Sequence, residues 1–134
     1  MTGIPIPEER LRAVARLEDI SGQPILLCLQ CGKCTAGCPF AVDMDYMPHQ
    51  IVHMAQSGRL AELIEIEAIY YCATCFTCLS RCPVGIDIAA LAETLRNIAL
   101  EEEQEKFGPD SIDPDIIREA PQQAIVSLYR KFSR

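Results

Sequence analysis

Apolar residues in this chain recur mostly at three- and four-residue intervals, the spacing of one helix face. Pro7 followed by Glu8 and Glu9 suits a helical first turn, Leu11, Val14, Ala15 and Leu17 make a stripe, and Ser21-Gly22 ends it. A second helix is expected from about Tyr46, capped by Asp45, with Pro48 in its first turn, Ile51, Met54 and Ala55 inward, and Gly58 as the stop. Leu60, Leu63, Ile64 and the run to Tyr71 predict one more short helix. Asp87 caps a strong helix with Ala90, Leu91, Leu95, Ile98 and Ala99 inward, which turns acidic at Glu101 to Glu105 and breaks at Gly108-Pro109. A last helix begins near Pro114, kinks at Pro121, carries Ile125, Leu128 and Tyr129, and ends on Arg130, Lys131 and Arg134. No segment alternates as a strand does.

The expectation is a mainly α fold in one domain over 1–134. Residues 1–22 form an N-terminal helix, 24–100 the core and 108–134 a helical extension. The formal net charge is −7, against the basic surplus of a nucleic-acid binder. Met1 to Pro5 lead straight into charged residues, with no apolar signal stretch, and no apolar run reaches membrane-spanning length. A cytoplasmic location without membrane insertion is therefore expected. An acidic chain also suits docking onto a basic patch of a protein partner.

The chemistry lies in eight cysteines. Cys28, Cys31, Cys34 and Cys38 read C-x2-C-x2-C-x3-C and are followed by Pro39; Cys72, Cys75, Cys78 and Cys82 repeat the run before Pro83. The runs are offset by 44 residues, as Cys28 is from Cys72, and the flanking segments do not repeat. In a reducing compartment such cysteines read as metal ligands, not disulfides. Structural zinc takes cysteines in separated pairs, and a thioredoxin-type dithiol needs a βαβ setting; neither matches. A [4Fe–4S] cube needs one thiolate per iron, and three cysteines spaced by two let one tight loop wrap three corners. Gly32 and Gly37 are expected to permit close backbone approach there. In two-cluster ferredoxins the fourth cysteine of such a run ligates the other cluster. By that rule Cys28, Cys31, Cys34 and Cys82 hold one cluster, and Cys72, Cys75, Cys78 and Cys38 the other.

Other candidates carry less. His49 and His53 have the spacing of metal ligands, but His-Gln-Ile-Val-His lacks the glutamate of a zinc protease, so packing or surface roles are expected. Lys33 and Arg81, inside the loops, either tune the clusters or are solvated charges. Tyr70 and Tyr71 either shield a cluster or pack in the core. Neither a dinucleotide fingerprint nor a P-loop is present, so the chain is expected to pass electrons without a catalytic residue of its own.

The chain resembles the small two-cluster iron–sulfur component of heterodisulfide reductase. The likeness rests on Cys28-Leu29-Gln30-Cys31-Gly32-Lys33-Cys34-Thr35-Ala36-Gly37-Cys38-Pro39, on Tyr46-Met47-Pro48-His49, on Tyr71-Cys72-Ala73-Thr74-Cys75-Phe76-Thr77-Cys78, and on Arg81-Cys82-Pro83-Val84-Gly85-Ile86-Asp87. It covers about residues 24 to 100. It implies an α-helical ferredoxin fold with two [4Fe–4S] clusters, in a hetero-oligomeric complex. Two heterodisulfide reductase partners are implied there. One, bearing flavin and its own iron–sulfur clusters, delivers electrons; the other, catalytic, reduces the disulfide between coenzymes M and B in methanogens. The absence of a Cys-Cys pair fits a disulfide site on the partner. Alternatives are the iron–sulfur subunit of another anaerobic oxidoreductase, of the glycerol-3-phosphate or glycolate dehydrogenase type, and a free-standing ferredoxin.

Overall fold

The computed structural model describes residues 7–101 and 111–132; the expected acidic run over 102–105 and the Gly108-Pro109 break lie outside them. Backbone contacts divide the chain into two compact units, 1–95 and 96–134. The described residues are helical and contain no strand.

The first unit opens with helix α1, Glu8–Ser21, which ends in left-handed Gly22 (φ 65°), the Gly22 N–H donating to Glu18 O. Val14 and Leu17 are buried as the stripe predicts, but Leu11 and Ala15 are exposed, because only a narrow strip of α1 meets the rest of the unit. A 3₁₀ turn at Ile25–Leu27 leads into the first cysteine loop, closed by the short helix α2, Lys33–Gly37.

Helix α3, Pro48–Gln56, occupies the middle of the unit and packs against α1, the 3₁₀ turn and α2. It begins two residues later than expected, and its cap is not Asp45: the Gln50 side chain accepts from Met47 N–H at 2.9 Å. It ends in a Schellman turn, where Gly58 N–H donates to Ala55 O and Arg59 N–H to Met54 O. Gly58 has two reasons to be glycine. Its φ is +67°, and a Cβ there would come within 2.5 Å of the Arg10 carbonyl oxygen on α1.

The helix expected over 60–71 is two: α4, Leu60–Leu63, and α5, Ala68–Tyr71. Ile64, Ile66 and Ala68 are all buried, and residues two apart cannot share one helix face, so the chain turns between them. Asp45 belongs to this turn. Its Oδ2 accepts from Glu67 N–H (3.0 Å) and its Oδ1 from Ala68 N–H (2.7 Å), so it caps α5 from 23 residues away. Helix α5 then delivers the chain into Cys72. The second cysteine loop is closed by α6, Thr77–Arg81, which packs against α2.

Helix α7, Ile88–Glu101, starts where Asp87 Oδ1 accepts from Ala89 and Ala90 N–H, as the sequence predicts. Gln23 fixes that start by accepting from Asp87 N–H at 2.8 Å. Burial is wider than one stripe: Ile88, Ala89, Leu91, Ala92 and Leu95 are all buried, and Ala90 only half-buried.

Among the described residues of the second unit, Arg96, Ile98 and Ala99 are buried. The single kinked helix expected after Pro114 is two helices, α8, Pro114–Glu119, and α9, Gln122–Phe132. Asp113 caps α8, its Oδ1 accepting from Asp115 N–H. Ala120 between them is extended (φ −73°, ψ 142°), since a following proline ring disfavours the α region.

Candidate metal centre

The two cysteine loops are copies in backbone as well as in sequence. Gln30 and Gly32 in the first have φ of 54° and 74°; Thr74 and Phe76, 44 residues on, have 55° and 57°. Each loop then enters a five-residue helix, and the amide of its fourth cysteine donates back three residues at 3.1 Å, Cys38 to Thr35 and Cys82 to Leu79. Left-handed φ costs a residue with a Cβ ~1–2 kcal/mol. Gln30, Thr74 and Phe76 are held there by loops that curl around something, the pattern expected where local strain serves a site.

What they curl around is visible as two cavities. The first is lined by Cys28, Cys31, Cys34 and Cys82, with Gln30, Lys33 and His49 among the other wall residues. The second is lined by Cys72, Cys75, Cys78 and Cys38. Around it stand Phe40, Met44, Pro48, Ile51, Phe76 and residues of α7. The fourth cysteine of each run thus stands with the other run's first three, brought across by the packing of α2 on α6. All eight cysteines are free thiols. Among the described residues, no three His, Cys, Asp or Glu side chains converge as ligands of one metal ion. The thiols surround a volume instead of a point, and four thiols around a volume suit the corners of a cubane.

The third cysteines of the two runs share their surroundings. Burial pushes the thiols of Cys34 and Cys78 up, against the pull of backbone N–H groups from Thr35 and, at Cys78, from Leu79 and Ile88. The middle cysteines, Cys31 and Cys75, are exposed, which puts one corner of each site at the protein surface. Cys75 is pulled down by Thr77, whose hydroxyl stands 3.4 Å from its sulfur.

Several neighbours were missed or misjudged from sequence. Gln30 donates from Nε2 to Cys28 Sγ (3.4 Å) and to Gln56 Oε1 (3.0 Å), while Gln56 donates to Cys28 O (3.2 Å). His53 is exposed, as expected, but His49 lines the first cavity, with Nδ1 2.8 Å from Thr35 Oγ1. The two glycines differ in purpose. Gly32 has open space around it and takes its φ of +74° without the cost Phe76 bears; at Gly37 a Cβ would come within 2.6 Å of the Arg81 side chain. Arg81 occupies the position equivalent to Gly37 and lies across it, joining α6 to α2, while Lys33 is on the wall of the first cavity. Tyr70 is buried and Tyr71 exposed; neither lines a cavity.

Residues 24–86 match the family of the 4Fe–4S dicluster domain. That segment is a 4Fe–4S dicluster domain. The match spans both cysteine loops and the helices between them, and it supports an iron–sulfur, electron-transfer role for this mainly helical chain. No curated protein matches the chain. No helix among the described residues is long and apolar enough to cross a membrane.

Proposed function

We propose that this chain is the electron-relay component of a heterodisulfide reductase-type complex in the cytoplasm, joining a flavin-bearing partner to a disulfide-reducing one. Cys28, Cys31, Cys34 and Cys82 hold one [4Fe–4S] cluster, and Cys72, Cys75, Cys78 and Cys38 hold the other. The observation that carries this reading is the mixing of the two runs into two sets of four thiols around separate cavities. Each bound cluster supplies a one-electron redox centre. The protein's own residues hold the two centres in one compact unit, α2 against α6, and leave Cys31 and Cys75 at the surface where a partner can approach.

The place in the complex rests on the loop wording from Cys28 to Pro39 and Cys72 to Asp87, joined by a helical spacer. Anaerobic purification of the native chain tests it. Recovery with a flavoprotein and a Cys-Cys cluster protein supports the assignment. A stable lone chain holding both clusters, or one bound to a dehydrogenase instead, overturns it. Independently, about eight irons per chain are expected, with broad absorbance near 400 nm; zinc in place of iron contradicts the cluster assignment.

A further inference from the structure

The two cavities have the same backbone and the same four thiols, so what differs between them is due to the other wall residues. The first has an amide (Gln30), a cation (Lys33) and an imidazole (His49) on its wall. The second has aromatic and aliphatic side chains, and apart from its cysteines its one polar wall residue is Thr77. The loop-equivalent of Gln30 is Thr74, and that of Lys33 is Thr77, so the repeat itself shows which donors were added on one side. Gln30 is also positioned: its amide is anchored on Gln56 of α3 while it donates to Cys28 Sγ.

Adding an electron to a thiolate-bound cluster adds negative charge. N–H donors and cations stabilise that charge, and an apolar wall disfavours it. Two contributions run the other way: the Ile88 N–H at the start of α7 reaches Cys78, and the Thr77 hydroxyl stands 3.4 Å from Cys75 Sγ. The first set matches both, with Ile86 N–H to Cys82 Sγ at 3.3 Å and the Thr35 side chain on Cys34, so these nearly cancel. The uncancelled groups are Gln30, Lys33 and His49.

We infer that the cluster held by Cys28, Cys31, Cys34 and Cys82 has the higher reduction potential of the two, with Gln30 and Lys33 as the residues that raise it. Electrons then enter at the set containing Cys72 and leave at the set containing Cys28, which gives the relay a direction. This rests on the two-cluster reading above and assigns each cluster an end of the wire.

The test is a potentiometric EPR titration of the full chain with both clusters loaded, in the native sequence and as Gln30→Asn and Lys33→Gln. Asparagine tolerates the left-handed backbone at position 30 but is one carbon too short to reach Cys28 Sγ. Each variant is expected to lower one midpoint, the higher of the two, by about tenfold in the reduction equilibrium, or ~59 mV for one electron. The lower midpoint stays in place. The inference is overturned if the variants move the lower midpoint, or move neither while iron content remains at the native level. A native chain with a single cluster would instead overturn the two-cluster reading, so the two failures are distinguishable.

Discussion

Asp45 holds the helix that leads into Cys72, and its removal should loosen one cluster more than the other. In Asp45→Ala the N–H groups of Glu67 and Ala68 lose their acceptors, bonds of 3.0 and 2.7 Å. Helix α5 has four residues, far fewer than the roughly 12–15 an isolated helix needs, so it persists through its cap and its buried face. Loss of a cap costs ~1 kcal/mol, within a range of 0.5–2. Both acceptor oxygens belong to one charged group, which places this case toward the upper end, at about 1.5 kcal/mol. Since 1.4 kcal/mol is a factor of ten, local opening of the segment entering Cys72 should rise roughly tenfold. The assay is the anaerobic rate of iron transfer to a chelator, with the two clusters followed by EPR. The cluster on Cys72, Cys75, Cys78 and Cys38 should leave about ten times faster, and the other at nearly the native rate. Asp45→Asn, which keeps one neutral acceptor, should fall between. Asp43→Ala, a neighbouring exposed carboxylate, is the control. Equal release from Asp45→Ala and Asp43→Ala, or equal acceleration of both clusters, would refute the reasoning.

Gly58→Ala should lower the unfolding midpoint of the loaded chain, because its φ of +67° and the Arg10 carbonyl 2.5 Å from a new Cβ both oppose a side chain. The left-handed penalty and the displacement of α1 together amount to about 2–4 kcal/mol, readable by circular dichroism; an unchanged midpoint contradicts the packing of α1 on α3. Removal of the clusters exposes a second difference. In the metal-free chain at neutral pH, Cys75 should be alkylated faster than Cys34 and Cys78. Its pKa is lowered by Thr77 and it is exposed, so more of it is thiolate, whereas burial raises the other two. Mass spectrometry of peptides after a timed pulse reads the order. The gap should narrow as pH rises and all three ionise; equal rates at neutral pH would show that the loops lose this geometry without metal.

The parts of the fold legible in the sequence were those fixed by neighbours a few residues away. Pro7 and Gly22 bound α1, and Asp87 starts α7, since caps and stops act within one turn. Asp45 has the side chain of a cap and lies three residues before the start of α3, yet its partners are at 67 and 68. The pattern of side chains identified the function of the group but not its target. The split of 60–71 depended on the need to bury Ile64 and Ile66 together, a tertiary demand with no local mark. Leu11 and Ala15 fit a stripe that nothing in the described structure covers.

At the candidate site, the donor set could be read because cubane chemistry constrains the spacing of cysteines. The polar wall of the first cavity could not. Gln30 and Gln56 are 26 residues apart, and nothing in either position's local sequence announces a hydrogen bond between them. Phe76 stands where the first loop has Gly32, and both have φ > 0. At a phenylalanine that is a sign of constraint. Gly37 and Arg81 are another aligned pair, glycine opposite a long cation, and the alignment hints at the contact that the structure contains.

The central claim is that each cluster is shared between the two runs, and single-ligand replacement tests it most directly. EPR and Mössbauer spectra would be taken of the full chain as Cys31→Ser, Cys75→Ser, Cys38→Ser and Cys82→Ser. The account predicts that Cys82→Ser disturbs the same cluster as Cys31→Ser, and Cys38→Ser the same cluster as Cys75→Ser. If Cys82→Ser instead disturbs the cluster of Cys75, each run binds its own cluster and the crossed arrangement is wrong.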